Sequence, residues 1–290
     1  MACLLCFGLG YSAQVLARRM LVRGFRITGT VRKQEPTDHG TDGFMIVPFD
    51  RQHPLWPSLF AGVTHVLVSI PPDATGDLVA DIHRADLVRA APQWVGYLST
   101  TGVYGNTDGA WVDETAPLTP TVPRSIARVK AEQAWLTLWA QHGLPVHLFR
   151  LAGIYGPGRS AVDALRKGQA HRVIKPGHVS CRIHVEDLAT VLEASMAHPD
   201  PGTAYNVCDD EPAPPQDVVA YAATLLHRAL PPALSWEDAR QTLSPMALTF
   251  YTDSRRVRND RLKRRLGVSL CYPTYREGLA HCLASASQTP

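Results

Sequence analysis

Residues 4–13, Leu-Leu-Cys-Phe-Gly-Leu-Gly-Tyr-Ser-Ala, hold the most specific chemistry of the chain. An apolar run ends in Gly8-Leu9-Gly10, and an amphipathic segment with Val15, Leu16, Met20 and Leu21 follows. The pattern predicts a strand, a tight turn and a helix. Gly8 permits the turn, Gly10 lets a pyrophosphate approach the backbone, and Ala13 lets helix and strand pack closely. The helix N-terminus, with Tyr11 just before it and Ser12 and Ala13 in its first turn, would offer free N–H groups and partial positive charge to the phosphates. A Gly-x-Gly-x-x-Ala string also fits an ordinary strand-to-helix turn. Its place on the first strand of a long α/β pattern points to a dinucleotide.

The end of the second predicted strand reads Gly29-Thr30-Val31-Arg32-Lys33. An acid at this place would bind a ribose 2′-hydroxyl and favour NAD. Two cations stand there instead, and Arg32 suits a 2′-phosphate through charge-assisted bonds, so NADP is expected ahead of NAD. The alternative is that Arg32 and Lys33 are solvated loop cations. Asp50, ending the third strand, is a candidate for the adenine amino group. Ser69-Ile70-Pro71-Pro72 ends the fourth, at the sheet edge where a dinucleotide lies.

Other residue types promise less. Cys3 and Cys6 form a C-x-x-C, but inside a strand such residues point to opposite faces, and no second C-x-x-C completes a zinc site. They read as small buried hydrophobes, and the scattered thiols Cys181, Cys208, Cys271 and Cys282 suit a reducing cytoplasm. Histidines and acids show no metal-ligand spacing. The cations Arg255, Arg256, Arg258, Arg261, Lys263, Arg264 and Arg265 read as a solvated helix face, since no aromatic interleaving or nucleic-acid motif accompanies them.

The elements that must position these groups alternate. Strands are predicted at 3–7, 26–31, 44–47, 65–70, 95–99, 146–151 and 204–207, and helices at 12–22, 78–90, 125–142, 187–197 and 216–228. Residues 33–43 are too short and too rich in Pro, Gly and Asp for a crossover helix and are expected to form a loop. The alternation implies an α/β fold with a doubly wound parallel (Rossmann) sheet. A dinucleotide domain is expected over 1–155, with 183–210 returning to it, and a smaller C-terminal substrate lobe over 156–182 and 211–290. The chain has 290 residues, 45% hydrophobic and 19% charged, with net charge +3. That is an ordinary globular composition, too weakly basic to imply nucleic acid and without a membrane-length apolar run. The apolar N-terminus lacks a basic flank and is broken by glycines, so it does not read as a signal peptide.

Several strings together resemble one family. They are Leu98-Ser99-Thr100-Thr101-Gly102-Val103-Tyr104-Gly105, Gly153-Ile154-Tyr155-Gly156-Pro157-Gly158-Arg159, Arg182-Ile183-His184-Val185-Glu186-Asp187-Leu188-Ala189 and Tyr205-Asn206-Val207. In this order they resemble the extended short-chain dehydrogenase/reductases, the NAD-dependent epimerase/dehydratase group. Asn259 to Gly267 and Tyr272 to Leu279 are similar to it too. The family's glycine turn is G-x-x-G-x-x-G, and Phe7 and Ala13 stand where the outer glycines would fall.

The resemblance implies hydride transfer by a Tyr-x-x-x-Lys pair, with a Ser or Thr polarising the substrate oxygen. Thr100 fills the hydroxyl position and Lys130 the lysine position, where it would hold the nicotinamide ribose. The tyrosine position is Ile126, which cannot exchange a proton. General acid–base help is worth ~10²–10⁴-fold, roughly 3–5 kcal/mol of barrier, so ordinary family chemistry should be impaired unless another group substitutes. Tyr104 and Tyr155 are the stand-in acids, with packing roles as the alternative. Sugar-nucleotide dehydratases of the family carry Asp-Glu where this chain has Thr101-Gly102, so that elimination lacks its acid and base. The pattern is most similar to an atypical subgroup that keeps the dinucleotide site and loses the tyrosine.

Arg159 and Arg182 are candidates to face an anionic, nucleotide-linked substrate, with structural salt bridges as the alternative. Asp187 is expected to cap a helix starting at Leu188, and His184 to be a satisfied, partly buried histidine. The nicotinamide would lie between Ala152-Gly153 and Thr100. The leading expectation is an NADP-binding oxidoreductase or epimerase-like protein of the cytoplasm, monomer or homodimer, acting on a small molecule without nucleic acid, membrane or metal. The rival is a catalytically silent dinucleotide-binding regulator or scaffold.

Overall fold

The structure, a computed structural model, describes residues 1–32 and 43–286. The loop expected over 33–43 and its Lys33 lie outside the described residues, except for Gly43. The elements run β1 (Cys3–Phe7), α1 (Tyr11–Val22), β2 (Arg26–Val31), β3 (Met45–Pro48), β4 (His65–Val68), α2 (Leu78–Ala90), β5 (Trp94–Thr100) and β6 (Trp111–Val112). There follow α3 (Pro123–His142), β7 (Val146–Leu151), β8 (Gly153–Tyr155), α4 (Ala161–Arg166), β9 (Arg172–Ile174), β10 (Arg182–His184), α5 (Val185–Ala197) and β11 (Ala204–Val207). The chain continues with α6 (Pro215–Leu225), β12 (Ala233–Ser235), α7 (Trp236–Thr242), α8 (Pro245–Leu248), β13 (Arg256–Val257), α9 (Asp260–Leu266) and α10 (Tyr275–Ala286).

Seven strands form one sheet in the order β11-β7-β5-β4-β1-β2-β3, a Rossmann-like α/β architecture. The pairings β1–β2, β1–β4, β2–β3 and β4–β5 are parallel, with Leu5 opposite Thr28 on one side and Val66 on the other. Every residue of β1 and of β7 is buried, as befits strands covered on both faces. This is why β1 reads as an unbroken apolar run rather than an alternating one, and why His147 and Arg150 of β7 are buried. Cys3 and Cys6 sit in that buried strand as free thiols.

The chain divides into two compact units. The first comprises 1–100, 123–150 and 189–205; the second comprises 101–122, 151–188 and 206–290. The second unit thus takes in 101–122, which begins one residue after Thr100. The first unit's core gathers Phe7, Phe49, Phe60, Tyr97 and Trp135 with the aliphatic side chains of β1, β4, β5 and β7. The second unit carries three two-stranded parallel pairs, β8–β10, β9–β12 and β6–β13. Its largest apolar cluster packs α4, α6 and α10 around Tyr155, Val162, Ala222 and Leu279.

Two sequence expectations change here. The helix expected from Leu188 starts at Val185, so Asp187 lies inside its first turn rather than capping it. Its buried carboxylate instead accepts the backbone N–H groups of Cys271 (2.8 Å) and Tyr272 (2.9 Å), tying a distant turn to α5. The basic run is not one solvated helix face, because it spans β13 and α9. Arg255 and Arg256 donate to the carbonyls of Gly105 and Gly109, and Arg258 lies 5.1 Å over the Trp111 ring. Arg261 approaches Glu114 at 3.6 Å, so half the run clasps the 105–114 segment.

Candidate functional site

The glycine turn joins β1 to α1. Gly8 has φ +86°, a left-handed conformation that side chains rarely adopt. A Cβ there would meet Ser69 Oγ at 2.8 Å and Ile70 Cγ1 at 2.9 Å, so glycine is also the only residue with room. The Gly8 amide donates to Thr30 Oγ1 at 2.8 Å, and the Ser69 hydroxyl donates to the Gly8 carbonyl. The turn is thus pinned from β2 on one side and from the end of β4 on the other.

Gly10 differs from Gly8. It caps α1 with φ −87°, and a Cβ built on it would meet no atom of the described residues within 4 Å. No side chain caps α1, and no acid sits in its first turn. The opening amides of a helix have no intrahelical acceptor, so this end offers donors and partial positive charge beside open space. Tyr11 and Ser12 are half-buried, and Ala13 is buried against the sheet. The arrangement fits a pyrophosphate.

Around the turn, Arg32 is exposed just past β2. Asp50 Oδ1 accepts the amides of Gln52 and His53, both at 2.8 Å, and lies 2.9 Å from His53 Nδ1. Ser69, Ile70 and Pro71 follow β4, with Ser69 and Ile70 half-buried and Pro71 exposed. Arg51 forks onto Asp73 at 2.9 and 3.0 Å and reaches Asp81 at 3.1 Å, clasping the loop after β3 to the loop after β4.

Thr100 ends β5 and is half-buried. Lys130 and Ile126 are one turn apart on α3, and both are exposed, Ile126 at 41%. The opposite face of α3 buries Ser125, Ala131, Glu132, Trp135 and Leu138. A buried ionic network that sequence reasoning missed lies on that face. Glu132 accepts from Arg150 of β7 at 2.9 Å and from the Ser99 hydroxyl. Ser99 adjoins Thr100, and Glu132 follows Lys130 by two residues, so the network fixes both elements that carry the expected catalytic groups. Its signal was an arginine within the apolar run Val146–Leu151. Arg128 adds a second tie, donating to Tyr97 Oη at 3.1 Å and to the Leu98 carbonyl.

The second unit turns most of its expected site residues inward. Tyr104 is 1% exposed, and its hydroxyl donates to Asn206 Oδ1 at 2.7 Å. Tyr155 is buried with its hydroxyl 3.4 Å from the Thr274 carbonyl, and burial pushes its pKa far above the ordinary phenol value. Neither presents an open hydroxyl. Arg182 is buried and donates to the carbonyls of Glu211 (3.2 Å) and Ala213 (3.0 Å) and to Ser180 Oγ (3.2 Å). It thereby holds the 211–213 loop. His184 is fully buried, accepts the Glu186 amide at Nδ1, and meets His281 at 3.3 Å through Nε2. Arg159 is exposed and closes a tight turn with Gly156 through paired backbone bonds. Ala152 is buried, whereas Gly153 is exposed.

Asp209 is the residue that sequence reasoning passed over in this unit. It is 1% exposed, and neither carboxyl oxygen has a well-formed hydrogen bond. Burial pushes its pKa up to about 8, against the lowering field of Arg182 and weak relief from the Glu211 backbone. Among the described residues no cluster of His, Cys, Asp and Glu forms a metal site, and no helix is long and apolar enough to cross a membrane.

The sheet order and the glycine turn define the class, a Rossmann-like α/β protein. Residues 77–208 match the NAD dependent epimerase/dehydratase family. It is similar to a functionally unknown conserved protein from Silicibacter pomeroyi, with 50% identity, 99% of this chain and 100% of that one covered, and TM-score 0.89. A 3-diazoavenalumate denitrifying reductase from Streptomyces is 30% identical over 176 residues, 58% of each chain. A dTDP-glucose 4,6-dehydratase from Bacillus anthracis, solved with NAD, shares the fold at TM-score 0.75 and 18% identity, with 100% of this chain and 97% of that one covered.

Proposed function

We propose that the chain is an NAD(P)-dependent oxidoreductase or epimerase-like enzyme acting on a small polar, nucleotide-linked substrate, with NADP preferred over NAD. The observation that carries this reading is the open backbone at Gly10 on the uncapped end of α1. The NAD-bound dehydratase of the same fold and the reductase relative support the redox class. When bound, the nicotinamide would supply hydride exchange. Gly8, Gly10 and the amides of Tyr11 to Ala13 would hold the pyrophosphate, and Arg32 the 2′-phosphate. Asp50 would reach the adenine side through its free Oδ2, with Ser69, Ile70 and Pro71 lining the sheet edge. Lys130 would hold the nicotinamide ribose, and Thr100 would donate to the substrate oxygen. Arg159, the exposed arginine of the pair weighed, would meet an anionic substrate.

One observation favours a second reading, the silent dinucleotide-binding regulator. Ile126 sits exposed where the family's tyrosine would be, and the stand-in hydroxyls of Tyr104 and Tyr155 are buried and bonded. This chain then belongs to the family's tyrosine-lacking forms. Ile126→Tyr separates the two readings, because it sets a phenol one turn before Lys130. NADPH oxidation with a generic carbonyl substrate should rise in Ile126→Tyr and not in Ile126→Tyr/Lys130→Met. The gain should stay below ~10²–10⁴-fold, since the surrounding packing accommodates isoleucine. A wild type that turns over a sugar nucleotide briskly, and is slowed by Ile126→Tyr, would place the proton on another residue.

A further inference from the structure

Two of the six cysteines meet inside the second unit. Cys181 directly precedes β10 and Cys208 directly follows β11. The backbone N–H of Asp209 donates to the Arg182 carbonyl at 2.7 Å, so each cysteine is the residue before one end of the same backbone bond. Hydrogen-bonded backbones run about 4.8 Å apart. That spacing falls within the roughly 4.4–6.8 Å Cα separation that a disulfide spans.

The two sulfurs also share one neighbour. The Val257 amide donates to Cys181 Sγ at 3.3 Å, and the Cys208 thiol donates to the Val257 carbonyl at 3.2 Å. Both thiols lie in one apolar cluster with Ala152, Val112 and Val257. They are not equivalent. Cys181 is 8% exposed and collects a donor from Val257, whereas Cys208 is fully buried.

We propose that Cys181 and Cys208 form a reversible redox site, in which a hydroperoxide oxidises Cys181 and Cys208 then closes a disulfide onto it. The Cys181 thiolate attacks one peroxide oxygen and the O–O bond breaks. The departing hydroxide takes up the proton that the Cys181 thiol gave up on becoming the thiolate and leaves as water, and the sulfur is left as sulfenic acid, oxidised by two electrons. The Cys208 thiol then loses its proton, and its sulfur attacks Cys181 Sγ. The S–O bond breaks, and the hydroxide leaves with that proton as a second water. Two thiols and one hydroperoxide thus give one disulfide and two waters, or water and an alcohol for an organic peroxide.

The asymmetry suits this order. The neighbouring Cys208 thiol, the Val257 amide and the nearby Arg182 and Arg255 charges hold the Cys181 thiol below its ordinary pKa against the effect of burial. Cys208 is held up by Cys181 beside it and by burial, with its proton donated to the Val257 carbonyl, so it stays protonated until Cys181 has reacted. Cys6, by contrast, is pushed up to about 12 by burial, and Cys282 to about 11.

The test uses the full chain carrying Cys271→Ser, which removes the exposed thiol. The protein is treated with hydrogen peroxide, alkylated in denaturant, digested and analysed by mass spectrometry. The expected result is a peptide pair joined through Cys181 and Cys208, two hydrogens lighter than the sum, lost on dithiothreitol treatment. In Cys271→Ser/Cys208→Ser, Cys181 should be captured by dimedone as sulfenic acid. Full alkylation of both cysteines after peroxide, with Cys3, Cys6 or Cys282 oxidised instead, would overturn the proposal. So would a disulfide forming only between chains, or a Cys208→Ser variant that yields no dimedone adduct.

Discussion

Glu132 in the first unit and Asp209 in the second are both buried carboxylates, and they are treated in opposite ways. Glu132 is paired at 2.9 Å with Arg150 and takes a further bond from Ser99. Asp209 has Arg182 in its field but no well-formed bond, and Arg182 gives its donors to carbonyls of the 211–213 loop. Burial alone therefore does not set the state of a carboxyl; the partner does. The first unit keeps a charge inside to hold β5 and α3 in register beneath Thr100 and Lys130. The second holds a carboxyl that burial drives toward its neutral form.

Cutting the first unit's network should have the largest effect. Glu132→Gln leaves the Arg150 guanidinium buried without its counter-charge, at a cost of about 3–5 kcal/mol. Chemical denaturation would measure the loss, and Glu132→Leu/Arg150→Met should restore most of it. A loss under about 1 kcal/mol would mean that the pair does not hold the unit together.

The second unit should answer to pH instead. The folded pKa of Asp209, about 8, lies above the ~3.9 of an unfolded aspartate. Its contribution to stability is therefore fully present below about pH 4 and is lost as pH rises through about 8. Asp209→Asn should gain on the wild type across this window, with the gap reaching a few kcal/mol above pH 8, at about 1.4 kcal/mol per pKa unit. Melting curves from pH 4 to 9 would show it. Parallel curves would place a stabilising donor on the carboxylate.

A smaller effect concerns the rim of the glycine turn. Arg32→Asp should weaken NADPH binding about tenfold, roughly 1.4 kcal/mol, and leave NADH no weaker. Equal affinities of the wild type for both cofactors would remove Arg32 from the argument.

The two units also differ in how legible they were. The sheet strands could be read because a parallel strand covered on both faces tends to a continuous apolar run, as β1 is and as β7 is but for His147 and Arg150. The glycine turn could be read because its constraint is on the backbone: only glycine takes φ +86° with Ser69 and Ile70 so close. Side-chain direction leaves no comparable trace. Arg182, Tyr104 and Asp187 are residue types suited to a site, yet the fold turns them onto carbonyls, an amide side chain and backbone amides. The partners lie dozens of residues away, at Ala213, Asn206 and Cys271, and no local periodicity encodes them. Asp209 and Glu132 were missed for the converse reason, because a lone acid in sequence does not announce its burial.

The most direct test is calorimetric titration of NADPH into the wild type and Gly10→Val. A Cβ at Gly10 meets no atom of the described residues within 4 Å, so the variant should fold and melt as the wild type does. The account predicts binding by the wild type and a loss of at least about 100-fold, roughly 3 kcal/mol, in the variant. Unchanged affinity in a well-folded Gly10→Val would contradict it and move any dinucleotide away from the β1–α1 turn.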